Sequence, residues 1–300
     1  MLGGGSGYGG AVKWEDFARP SVAVDVAVLT VVPGREPWLG LLVHKRAGDA
    51  YTDRWDIPGG FVQAGETLAD AVLRLLREKS DVRGLQPTQL HVFDDPDRDE
   101  RGWVMSVAHM DAVPYERLMA AMTHRDDVRI VPIQDSDGRI KVQTPGKHRR
   151  LPWDHDEIVT LAVHRLRERY AERPDPDGLV VGEALPVAGW VGEVGSQAAP
   201  SDGGWQQAPA ASAPAPSATP IRAGAESGPA ARALDAASVE MESGSAFTLS
   251  ELRRVHEAVA GHPLQRDNFR RAVEPHLRRT ARTSEGRVGR PGVLYVRSEQ

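Results

Sequence analysis

Between Ser21 and Val32 apolar residues first alternate, at Val22, Val24, Val26 and Val28, and then run together until Pro33-Gly34 interrupts them. A β-branched, period-two run closed by turn residues predicts a strand, with residues 38–43 as its partner. From 66 to 81 the period becomes helical. Leu68, Ala71, Val72, Leu75 and Leu76 recur at helical spacing, and Thr67 with Asp70 forms a start signal. Residues 90–93 and 103–113 read as strands around a polar loop, 94–102. Residues 129–133 and Arg139–Val142 flank Asp137-Gly138 as a hairpin. A last helix opens at Asp154, with Glu157 three residues on, and places Ile158, Leu161, Ala162, Leu166 and Tyr170 on one side. These elements predict an α+β domain over 20–173.

The pattern then decays. Residues 174–246 are rich in Ala, Pro, Ser and Gly without a periodic apolar face, so burial does not repay the entropy of ordering, and the composition predicts a flexible linker. The glycine-rich start, 1–19, is predicted to be mobile for the same reason. Order returns at Phe247. Thr248-Leu249-Ser250-Glu251 is a capping box that opens a helix through Leu252, Val255 and Val259, stopped by Gly261. A second helix opens near Arg266 and is expected to carry Phe269, Ala272 and Val273 inward. A basic turn, 283–290, then leads into a strand at 293–296. Two helices and a hairpin predict a winged helix-turn-helix domain over 247–300.

Charge separates the two parts. From Phe247 onward there are 11 Arg against 6 Asp and Glu, net +5, whereas the remainder holds 26 basic and 36 acidic residues, net −10. A basic end on an acidic body points to a polyanion as the partner of that end alone. The chain has no cysteine, which excludes disulfides, thiolate metal sites and a cysteine nucleophile and suits a reducing cytoplasm. The longest apolar run carries Asp25 and is far shorter than the ~20 residues of a membrane span, and no signal peptide is expected.

Trp55-Asp56-Ile57-Pro58-Gly59-Gly60, followed by Glu66, Arg74, Leu76, Glu78 and Val82, resembles a Nudix box and the approach to it. The resemblance implies an α/β/α sandwich with a mixed sheet. In Nudix hydrolases the box reads Arg-Glu-apolar-x-Glu-Glu-x-Gly, and its carboxylates share one helix face, where they hold magnesium. Here that face reads Leu75, Glu78, Lys79, and Asp81 stands in place of the glycine. One carboxylate and one ammonium replace three carboxylates, so the box is degenerate. The resemblance then implies a ligand-sensing domain that requires no cofactor. An active hydrolase would need Mg2+ or Mn2+, with Glu66 and Glu78 catalytic and Glu78 on the metal.

Lys79 either offsets the charge of a bound diphosphate or points into water at a helix end, where cations suit the macrodipole. The loop at Asp94–Gly102 and the run Val104-Met105-Ser106-Val107 resemble the ADP-ribose-directed domains of the Nudix-related transcriptional regulators (NrtR). Arg98 either meets the ligand or pairs within its own acidic loop, and Arg101 reads as the latter. The ligand-binding set implied is Lys45, Arg46, Gly59, Gly60, Glu66, Arg74, Glu78, Lys79 and Arg98. His155 reads as part of a helix cap rather than a metal site.

In the C-terminal part, Asn268-Phe269-Arg270-Arg271 stands at the start of a recognition helix, where Arg reads guanine and Asn reads adenine. The DNA-binding set is Arg266, Asn268, Arg270, Arg271 and, at the wing tip, Arg287 and Arg290. These motifs resemble the winged helix of the same regulator family. That family implies a homodimer on a palindromic double-stranded operator, ADP-ribose or a related nucleotide as effector, and genes of NAD metabolism as targets. The linker departs from the family and predicts weak coupling between pocket and DNA contact, and Pro275 is expected to kink or end the recognition helix. The competing readings are an active ADP-ribose pyrophosphatase with an accessory module and an adaptor whose C-terminal part binds protein.

Overall fold

The computed structural model describes residues 17–48, 51–136, 138–184, 245–284 and 291–298. The first strand, β1 (Ser21–Val32), lies inside a mixed sheet. It pairs antiparallel with β2 (Trp38–Lys45) and β4 (Gly59–Phe61), and parallel with β6 (Val104–Ala112). The short β3 (Trp55–Asp56) pairs with β2; β5 (Thr88–Phe93) pairs with β6, β7 (Val128–Ser136) with β2, and β8 (Arg139–Val142) with β7. The main order is β5-β6-β1-β2-β7-β8.

Side-chain alternation along β1 builds two cores. Ala27, Leu29 and Val31 face α3 (His155–Glu172), whereas Val24, Val26 and Val28 face α1 (Leu68–Ser80) and α2 (Tyr115–Met122). Thr67 caps α1 through the predicted box. Asp81 ends that helix at φ 54°, holding the left-handed turn that glycine would supply, at a steric cost of about 1 kcal/mol. On α3 the buried face is Ile158, Val159, Ala162, Val163, Leu166 and Tyr170. Leu161, expected on it, is only half-buried because the face is centred one position away. The sequence pattern gave no sign of α2, which is too short to show two full turns of apolar repeat.

A two-residue strand, β9 (Glu183–Ala184), is followed by the C-terminal elements: β10 (Ser245–Thr248), α4 (Leu249–Ala260), α5 (Arg266–Val273), β11 (Leu277–Thr283) and β12 (Val293–Arg297). Thr248 and Glu251 form the expected box, and Gly261 ends α4 at φ 80°. Phe269 and Val273 turn inward from α5, but Ala272 is exposed. Pro275 sits in a 3-10 turn directly after α5 and stops it. Strand β11 had been masked in the sequence by its arginines.

Two expectations about the linker change. The described residues up to 183 and from 246 onward form one compact unit, so the packed body does not end at 173. Leu179 and Val180 are buried in the same apolar core as Leu29 and Leu39 of the sheet and Phe247, Leu252 and Val259 of the winged helix. Coupling is therefore direct, because the two domains share a core. Residues 185–244, the bulk of the predicted linker, and 1–16 lie outside the described residues.

Polar contacts fasten the same joint. Arg167 of α3 donates to the Val259 carbonyl, 3.0 Å, and to Asp135, 2.8 Å. Asp175, with its carboxylate fully buried, accepts from the Tyr170 hydroxyl at 2.7 Å, from the amides of Leu179 and Val180, and from Arg297 of β12. The His256 ring lies between Tyr170 and Phe269, 5.0 Å from each, and donates to the Pro174 carbonyl. Contact thus runs from α3 through α4 to the second helix of the winged domain.

Candidate functional site

A cleft of about 220 Å³ opens where β1, β4, the 94–103 loop, the end of α1 and the start of α3 converge. Its floor depends on two glycines. Gly59 and Gly60 pair with Asp25 and Val24 across the β1/β4 ladder, and a Cβ on Gly59 would collide with the Asp25 carboxylate. A Cβ on Gly60 would stand 2.8 Å from Leu75.

Behind the floor lies a buried charge network. His155, at the first turn of α3, contacts Asp56 at 2.5 Å and Asp25 at 3.4 Å; Ser106 donates to Asp25 at 2.5 Å and Arg46 to Asp56 at 2.8 Å. Burial disfavours the imidazolium, but Asp56 and Asp25 outweigh it and hold the His155 pKa up at about 10. Burial likewise works against the Asp25 carboxylate, and His155, Ser106 and Arg98 pull its pKa down to about 2. Charged His155 is compensated on two sides, as a buried ion must be.

The linkage follows from these directions. The stability supplied by raised His155 is complete below 6.5, its ordinary value, and is lost as pH rises through about 10. That supplied by depressed Asp25 is complete above 3.8 and lost as pH falls through about 2. In scanning calorimetry, the Tm gap between wild type and His155→Gln should therefore narrow steadily from neutral pH toward pH 10. A gap that stays constant over that range would show that His155 is neutral.

The predicted ligand set is only partly brought together. Arg46, Gly59, Gly60, Lys79 and Arg98 line the cleft; Lys45 pairs instead with Asp53 at 2.9 Å on the exposed side. Glu66 holds Arg74 at 2.7 Å, and Arg74 also reaches Glu78 and the Phe61 carbonyl, so these three brace α1 against β4 at the rim. Arg98 is buried and grips Asp154 through two bonds, 2.7 and 2.5 Å, rather than its own acidic loop. Arg101 does pair within the loop, with Asp99 at 2.7 Å, and its guanidinium also covers the Trp153 ring at 4.5 Å. Arg46 lies over the same ring at 4.6 Å.

The reading of His155 as a cap is corrected. Asp154 makes no side-chain capping bond, being held by Arg98, and His155 is buried in the network. Asp25, Asp56, Trp153 and Arg101 complete the cleft and were missed as site residues. The available signal was a carboxylate, Asp25, inside an otherwise apolar strand, since a buried charge requires partners that sequence distance conceals.

The helix face that would carry a metal does not fit one. Leu75 is buried against Gly60, Glu78 is half exposed and tied to Arg74 at 3.3 Å, and Lys79 is cationic. Among the described residues no group of three His, Cys, Asp or Glu is placed to hold a metal.

The second candidate surface is α5. Arg266, Asn268, Arg270 and Arg271 are all exposed. Arg271 donates to Asn268 at 2.7 Å and Arg270 pairs with Glu274 at 2.8 Å, so these arms are pre-ordered, while Arg266 has no side-chain partner among the described residues. Arg278, Arg279 and Arg282 of β11 are exposed as well and were not anticipated. Arg287 and Arg290 lie outside the described residues.

Comparison with known proteins matches both halves. The NUDIX domain model matches residues 21–161, and the NrtR DNA-binding winged helix domain model matches 244–296. The chain is 29% identical over 147 residues to an ADP-ribose pyrophosphatase of Methanocaldococcus jannaschii, covering 49% of this chain and 75% of that protein. It is 24% identical over 164 residues to the ADPR responsive transcriptional repressor NtrR of Acinetobacter baylyi, covering 53% of this chain and 60% of that one. The crystal structure of Shewanella oneidensis NrtR complexed with a 27mer DNA shares the fold, with TM-score 0.57 and 23% identity over 92% of this chain and 93% of that chain. Among the described residues no helix is long and apolar enough to cross a membrane.

Proposed function

Since the chain belongs to the Nudix-related transcriptional regulators, a NUDIX domain joined to an NrtR winged helix, we propose that it is a cytoplasmic DNA-binding regulator that senses ADP-ribose or a related nucleoside diphosphate. One observation carries this reading. The α1 face beside the cleft carries Leu75, Glu78 and Lys79 where a hydrolase needs carboxylates, with Lys79 lining the cleft itself, and it belongs to the same compact unit as the exposed basic helix α5. The Acinetobacter repressor is named as responsive to ADPR, and the Shewanella protein was crystallised with DNA, which supports both ligands here.

In this reading the protein acts as a homodimer on a palindromic operator beside genes of NAD metabolism. Effector shifts DNA occupancy only by binding two arrangements of the dimer unequally. The shared core and the Tyr170-His256-Phe269 stack give α3 a route to the helix that meets DNA. Fluorescence anisotropy on duplexes from the region upstream of its own gene tests the proposal. Binding that changes at least several-fold with ADP-ribose supports it, and an isotherm indifferent to ADP-ribose up to millimolar concentration overturns it.

The pyrophosphatase relative keeps one competing reading in view. Release of AMP and ribose 5-phosphate from ADP-ribose, measured with magnesium or manganese and read as phosphate only after a phosphatase is added, separates the two. Release from the wild type would favour the hydrolase, whereas release from a Leu75→Glu, Lys79→Glu variant alone supports the sensor.

A further inference from the structure

Residues 139–150 contain five Lys or Arg and neither Asp nor Glu, in a body whose net charge outside the winged helix is −10. The fold gathers them. β8 is the outer strand of the main sheet, and Arg139 and Lys141, two residues apart, project from the same face of it. Arg149 and Arg150 return from the following loop. Together they line a concavity of about 910 Å³ with Gln143 and Thr144. Its acidic residue, Asp156, is engaged by Arg150 at 3.1 Å. Arg139, Lys141 and Arg149 pair with no carboxylate among the described residues.

This strip adjoins the winged helix. The turn that starts β8 is held by Asp135, which accepts the Gly138 amide at 2.9 Å and Arg167 at 2.8 Å. Arg167 also bonds the Val259 carbonyl at the end of α4, and a Cβ on Gly261 would lie 3.3 Å from Asp135. Gly261 precedes Arg266, the first residue of α5, by five positions, a span of at most about 17 Å. A duplex carries about one negative charge per 1.7 Å of axis, so DNA seated on α5 would present phosphates across this distance.

Building on the DNA-binding reading above, we propose that Arg139, Lys141 and Arg149 form a second contact with the DNA backbone, made by the NUDIX domain itself. The contact is to phosphates, so it adds affinity without reading sequence. It also gives the nucleotide-binding domain its own hold on the operator, beside the joint at Arg167.

The test is an Arg139→Ala, Lys141→Ala variant of the full chain, titrated by anisotropy against an upstream duplex of about 40 base pairs, some four helical turns, and a scrambled duplex of equal length, over a series of salt concentrations. Each lost phosphate contact should lower the slope of log affinity against log salt by about 0.9, so the double variant should lose nearly two units and bind both duplexes at least ten-fold more weakly at low salt. Calorimetric binding of ADP-ribose and the Tm should stay at wild-type values. A wild-type slope in the variant overturns the proposal and leaves the regulator reading intact. Loss of ADP-ribose binding in the variant also overturns it, by assigning the strip to nucleotide. A wild type that binds neither duplex overturns both readings.

Discussion

Asp175→Ala should lower the stability of the protein by about 3 kcal/mol and its Tm by roughly 10 °C. The carboxylate is fully buried and accepts from Tyr170, the amides of Leu179 and Val180, and Arg297. Alanine leaves the hydroxyl and both amides without an acceptor inside the fold, and an unpaired buried donor costs roughly 1–3 kcal/mol. Arg297 tempers the loss because its side chain is one third exposed and recovers solvent. Arg297→Met should accordingly cost less than half as much. Calorimetry decides it: a Tm within about 2 °C of wild type for Asp175→Ala would mean that the joint is held by its apolar contacts alone. Since Asp175 links the loop following α3 to β12, the variant should also bind DNA with a reduced response to ADP-ribose.

Lys79→Glu should weaken ADP-ribose binding by about 30- to 150-fold, or 2–3 kcal/mol. Besides His155, which Asp25 and Asp56 compensate, four Arg and Lys side chains line the cleft. Arg46 is paired with Asp56, Arg98 with Asp154 and Arg101 with Asp99, whereas Lys79 pairs with no carboxylate among the described residues. Its charge is therefore available to an anion. Reversing it near a diphosphate exchanges attraction for repulsion, about 4 kcal/mol per charge pair at 4 Å in a surface-like dielectric, reduced here because the cleft is open to water. Arg77→Glu, an exposed charge on the same helix, is the control and should bind as the wild type does. Equal affinities for the two variants in calorimetry would place the diphosphate away from α1.

The helix α1, the strand β1 and the capping box of α4 were legible because each rests on neighbours in sequence: a 3.6- or 2-residue period and a side chain bonding an amide three positions on. The departure at Leu75 and Lys79 was legible for the same reason, as a change within one helical face. The role of Lys79 stayed open, because its lack of a carboxylate partner depends on residues 20–75 positions away. Arg98 shows the same limit from the other side. Its loop offers Asp95, Asp97 and Asp99, yet its partner is Asp154, 56 residues on.

By itself the sequence determined the two domain types, the loss of negative charge on the degenerate box and the basic character of the C-terminal end, all carried by local spacing and composition. Only the tertiary structure decided that His155 is buried between Asp25 and Asp56, that residues 174–182 belong to the body, and that sheet and winged helix share one core. The physical reason is burial. Whether a charge is solvated or must find a partner, and whether a Leu179 or a Val180 covers a neighbouring domain, depends on what lies across the chain in space, and short-range periodicity holds no record of that.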